Sequence, residues 1–133
     1  MKNAIQPEGL FDSSQFGYSQ VITATGNKLV FLAGQVGWDE NGDMAGDDVV
    51  TQARQALENI QLALQAAGGD ADDITMMRTY VVGYQPELVE QLLPVFLEFF
   101  AGMEPPAQTW LGVQSLALPE LKIEIEAQAV LSD

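Results

Sequence analysis

Residues 122–129 alternate without a break, with Lys122, Glu124, Glu126 and Gln128 on one side and Ile123, Ile125, Ala127 and Ala129 on the other. That period of two predicts a strand with one apolar and one charged face, and the charged face is where chemistry can sit. Residues 109–113 form a second short strand. With Pro119 in the return, the pair is expected to close the chain as a hairpin. Upstream, residues 18–25 and 28–34 are expected to pair as a hairpin across Gly26 and Asn27, a dipeptide that supplies positive φ in a tight turn. The first fifteen residues carry Pro7, Gly9 and clustered Ser and Asp, and are read as an irregular arm.

The spacing changes at residues 48–67. Val49, Ala53, Ala56, Leu57, Ile60, Ala63, Leu64 and Ala67 recur at three- and four-residue steps, which predicts a helix with one apolar stripe lying on a sheet. Asp47 or Asp48 can cap its start, and Gly68-Gly69 can end it. Arg54 stands four residues before Glu58, the spacing of a surface ion pair. Residues 74–82 read as a third strand and 86–100 as a second helix. Pro94 inside that helix removes a hydrogen bond, so a kink or a break is expected there. The order β-β-α-β-α-β-β predicts an α+β domain over residues 1–133, with a sheet and both helices on one face.

The other sheet face would carry Arg78, Tyr80, the charged row of the last strand and apolar positions such as Met76 or Met77. A mixed face of this kind suits burial against another copy of the chain, so a homo-oligomer is expected. Composition narrows the chemistry further. With no histidine and no cysteine among 133 residues, the commonest general base, thiolate catalysis and sulfur-ligated metals drop out. Carboxylates, hydroxyls, amides, backbone groups and water remain, and no metal or cofactor enters the reading.

Five Lys plus Arg against nineteen Asp plus Glu give a net charge of −14, which repels phosphate backbones and anionic lipid. Neither nucleic acid nor a membrane is an expected partner. The apolar runs are too short to span a bilayer and the N-terminus lacks the apolar core of a signal peptide, so a cytoplasmic protein is expected. The acidic segment after Val36 lacks the ligand spacing of a calcium loop and reads as a solvated loop. Glu124 and Glu126 lie on one strand face without a sugar-binding signature, and Glu124 reads more simply as an ion-pair partner of Lys122 or Arg78. Ser19, Ser115 and Thr109 have no histidine to activate them.

Several stretches together resemble one family: FGYSQ at 16–20, LAGQVG at 32–37, the helix QARQALENIQLALQAAG, and PPAQ followed by LPELKIEIEAQAV. They are similar to the Rid proteins, the YjgF-like reactive intermediate deaminases, from about Phe16 to Val130. The resemblance implies a chorismate-mutase-like α+β fold, a homotrimer with its sheets facing inward, and a small-molecule pocket at each subunit interface. In archetypal members that pocket hydrolyses enamines and imines released by pyridoxal phosphate enzymes to a 2-oxo acid and ammonia.

Position by position, Tyr18 matches the family's pocket tyrosine, Gly34 the glycine whose backbone faces the ligand, and Glu124 the glutamate thought to position the attacking water. Gln108 takes the place of the arginine that grips the substrate carboxylate. Trp110 stands where a small residue, often cysteine, is usual, and Leu93 falls near a position commonly held by asparagine. The resemblance is therefore to a divergent branch without the deaminase arginine, in which Arg78 replaces that clamp or forms a sheet-face ion pair. An older label for some relatives is ribonuclease, which the charge and the missing histidine oppose. Three classes follow: a hydrolase with altered substrate using Glu124 and water, a non-catalytic binder of a small metabolite at the trimer interface, and an oligomer with a vestigial pocket.

Overall fold

The computed structural model describes residues 1–132. Its strands are β1 (Lys2–Ile5), β2 (Val21–Ala24), β3 (Lys28–Gln35), β4 (Ile74–Val82), β5 (Ala107–Val113) and β6 (Ile123–Leu131), with helices α1 (Val49–Ala67) and α2 (Pro86–Phe99). The main sheet has the order β3-β6-β4-β5, in which β6 runs antiparallel to both neighbours and β5 lies parallel to β4. This is a mixed α+β sheet, as the strand and helix order predicted.

Alternation along β6 does what its pattern required. Ile123, Ile125, Ala127 and Ala129 are buried with Met77 and Val81 of β4, and they pack against Ala53, Leu57, Ile60 and Leu64 of α1 and Leu92, Val95 and Phe96 of α2. Both helices therefore cover one face. Asp48 caps α1 by accepting the Thr51 N–H at 2.9 Å, and Gly68 ends it in the left-handed conformation at φ 95°. Gln52, inside the apolar stripe, is wholly buried. It donates to the carbonyls of Gly46 and Glu120 and accepts from the Lys122 N–H, so one side chain ties α1 to the entry of β6.

Both expected hairpins are absent. β5 and β6 are not neighbours, because α2 carries the chain back to the outer edge of β4 in parallel, and β6 fills the slot between β3 and β4. β2 pairs with β1, so the N-terminal arm contains a strand rather than being irregular throughout. Gly26 is not in a positive-φ conformation. Instead, a side chain there would begin 2.5 Å from the Leu131 carbonyl oxygen and 2.7 Å from Val130 Cγ1, so glycine lets the chain cross the end of β6.

The β1–β2 ribbon lies across that end of the sheet. Lys2 Nζ donates to the carbonyls of Ile74 and Glu104 at 3.1 and 2.9 Å, and the Ser19 N–H donates to Pro106 at 3.0 Å beside β5. Two further expectations need correction. Arg54 pairs with Glu98 of α2 at 3.0 Å rather than with Glu58. Pro94 does not break α2, because it sits on the exposed side of one helix where the unpaired Glu90 carbonyl can meet water while Leu92, Val95 and Phe96 hold the buried side.

Candidate functional site

The residues singled out from sequence divide between the two faces of the sheet. On the helix side, Gln108 and Trp110 lie in register with the buried Met77 and Thr79 of β4. The Trp110 ring packs 5.0 Å from Phe96 and 6.3 Å, edge on, from Tyr84. Thr79 donates its hydroxyl hydrogen to Gln108 Oε1 at 3.0 Å. A cleft of about 400 Å³ opens beside them, also lined by Tyr18, Leu93, Phe16 and Tyr84. Tyr18 is brought there by the chain leaving the Ser14–Phe16 turn, where Ser13 Oγ donates to the Tyr18 carbonyl at 2.7 Å. Burial pushes the Tyr84 phenol above its usual pKa, so it remains a neutral hydroxyl.

Glu124 and Gly34 meet on the other face. The register of β3 against β6 slips by one residue between Leu32, opposite Ala127, and Gln35, opposite Ile125. This bulge brings Gly34 beneath the Glu124 side chain, so close that a Cβ at 34 would stand 2.7 Å from the carboxyl carbon. Any larger residue at 34 would push the Glu124 side chain out of this position. The pair opens into a second cavity of about 820 Å³, whose walls include Trp38, Asp39, Asn59 and Leu62. Asn59 Nδ2 fixes the loop that carries Trp38 by donating to the carbonyls of Val36 and Trp38 at 3.1 and 2.8 Å.

Arg78 belongs to neither cavity. It faces Glu126 across β4 and β6 at 3.8 Å and lines a separate hollow of about 200 Å³ with Phe31 and Gln128. Tyr80 donates a short hydrogen bond to Glu126 Oε1, and that bond holds the phenol above its usual pKa. Arg78 is thus the partner of Glu126, not of Glu124. The two glutamates, adjacent on one strand face, have separate surroundings. Among the described residues no group of three or more metal-ligating side chains converges, and no helix is long and apolar enough to cross a membrane.

Comparison with known proteins shows the family. The family model for endoribonuclease L-PSP matches residues 12–131. A RutC family protein of Pyrococcus horikoshii is 37% identical over 84% of this chain and 85% of its own. The mouse 2-iminobutanoate/2-iminopropanoate deaminase is 31% identical over 85% of this chain and 80% of its own. A crystal structure of YyfB, a Rid-family protein of unknown function from Yersinia pestis, superposes with a TM-score of 0.94 at 38% identity, covering 98% of each chain.

The chain belongs to the Rid/YjgF family.

Within this Rid chain, sequence reasoning missed Phe16, Tyr84 and Trp38 as cavity walls. Phe16 had a signal, since it stands two residues before Tyr18 in the same quoted stretch. Tyr84 had none: its place is set by the loop before α2 and by Gly112 of β5, where a Cβ would lie 3.0 Å from Tyr84 Cβ. Nor did Trp38, since its loop is placed by Asn59 from 21 residues away.

Proposed function

We propose that this chain is a Rid-type small-molecule protein acting as a homotrimer, with a ligand pocket completed between neighbouring copies, and that it is not an archetypal 2-imino acid deaminase. The observation that carries this reading is the division of the site. Tyr18, Leu93, Gln108 and Trp110 line one cavity beside β5, while Glu124 and Gly34 open into another at the opposite, β3 edge of the sheet, walled in part by α1. A small ligand cannot touch both sets in one chain, so any chemistry using them together needs a second copy. The sheet face opposite the helices supports the same assembly, since Leu29 and Phe31 are 64% and 70% exposed there beside the partly buried Met76 and Val130.

Gln108 decides against the archetypal substrate. An arginine grips a carboxylate through two charge-assisted hydrogen bonds, whereas an amide offers neutral ones, a loss of about 1 to 3 kcal/mol in binding. Arg78 pairs with Glu126 on the sheet face opposite the helices, outside the Gln108 cleft, which supports a cleft without a cation. A second reading, a hydrolase with altered substrate, is favoured by Glu124, whose carboxylate is kept over Gly34 where it can orient a water. The test is a coupled assay in which a pyridoxal phosphate dehydratase releases 2-aminoacrylate into semicarbazide. Added protein should leave semicarbazone formation nearly unchanged; suppression matching that by the mouse deaminase would overturn the reading.

A further inference from the structure

The cleft beside Trp110 has walls that are aromatic or aliphatic, Phe16, Tyr84, Leu93 and Trp110 chief among them, and none of its lining residues carries a charge. Its amide is oriented from behind. Thr79 is wholly buried, and its hydroxyl hydrogen is given to Gln108 Oε1 at 3.0 Å. A buried hydroxyl that loses its acceptor is costly, so Thr79 keeps the acceptor end of Gln108 against the core. The other end, Nε2 with its two hydrogens, has no partner among the described residues. The Tyr84 phenol, also at the cleft, is neutral.

A carboxylate entering this cleft would shed water and find no cation, in a molecule of net charge −14. An uncharged carbonyl accepts the same N–H groups and surrenders far less hydration. Apolar walls then favour the rest of such a ligand.

Building on the small-molecule reading above, we infer that the cleft selects an uncharged ligand in which a carboxamide is attached to an apolar or aromatic body. Gln108 Nε2 donates to its carbonyl oxygen, and Thr79 is the positioning residue that makes Gln108 a donor. This assigns the ligand's chemical class.

The test uses two pairs of compounds matched in shape and different in charge, benzamide with benzoate and isobutyramide with isobutyrate. Each is titrated into the full-length protein while the Trp110 indole and Gln108 side-chain amide signals are followed by NMR. Each amide should bind at least about tenfold more tightly than its carboxylate partner. Gln108→Arg should reverse the order. Thr79→Val, similar in shape but without the hydroxyl, should shrink the amide's advantage to about threefold or less, and Thr79→Ser should restore it. An unchanged preference in a folded Thr79→Val variant would remove the positioning role. Carboxylates binding wild type as tightly as amides would overturn the ligand class and leave the pocket standing. If neither signal moves with any of the four compounds, the pocket reading falls as well.

Discussion

Glu124 and Glu126 point the same way from β6, yet Gly34 and a bulge give the first an open space while Tyr80 and Arg78 occupy the second. A charged row is thereby divided into one available carboxylate and one committed to structure. The commitment has a pH signature. Accepting the Tyr80 hydrogen raises that phenol's pKa above its ordinary value of 10.0, and burial raises that of Tyr84. Because the folded protein holds the Tyr80 proton more tightly than the unfolded chain, the bond contributes its full stability below pH about 10 and loses it as pH climbs through the folded value. Ultraviolet titration should therefore find Tyr80 and Tyr84 ionising at higher pH in the folded than in the unfolded protein, and denaturant midpoints should fall above pH about 10. Tyr80→Phe should remove the part of that fall due to this bond.

At the level of elements, what could be read from sequence was what depends on local period. The stripe from Val49 to Leu64, the Asp48 cap and the alternation of β6 all specify themselves, since burial of one face is written into the spacing. Strand partners are not written locally. Gly26-Asn27 looked like a hairpin turn, but Gly26 is required by the passing end of β6, which no local pattern announces. Likewise 109–113 and 122–129 are consecutive strands, yet the parallel return through α2 places β5 on the far side of β4. The cavities followed the same division: motif positions such as Tyr18, Gly34, Gln108 and Glu124 line them, whereas Tyr84 and Trp38 reach them only because of where loops come to rest. Pro94 is a separate lesson, because exposure made a helix-breaking residue tolerable without making it favourable. Pro94→Ala should recover the hydrogen bond to Glu90 and stabilise the protein by about 1 to 3 kcal/mol, read as a higher urea midpoint with an unchanged slope.

For the whole molecule, charge and shape act in opposite directions. A net charge of −14 on a 14.4 kDa chain favours separation, while Leu29, Phe31 and Leu111 on the sheet face opposite the helices favour association. Assembly also has a functional role in the proposed reading, because it joins two cavities that lie at opposite edges of the sheet in one chain. The joining itself can be measured, and the chain has no native cysteine to interfere. Glu40 is exposed on the rim of the Glu124 cavity, so a nitroxide at Glu40→Cys marks that half without touching the other. Unlabelled chains carrying the nitroxide are mixed with nitrogen-15-labelled wild-type chains, and the signals of the labelled chains are recorded by NMR. If the pocket is shared between copies, the Trp110 indole and Gln108 amide should be among the most strongly broadened signals, and reducing the nitroxide should restore them. Sharp Trp110 and Gln108 signals in mixed oligomers confirmed by mass would contradict a pocket built across the subunit boundary.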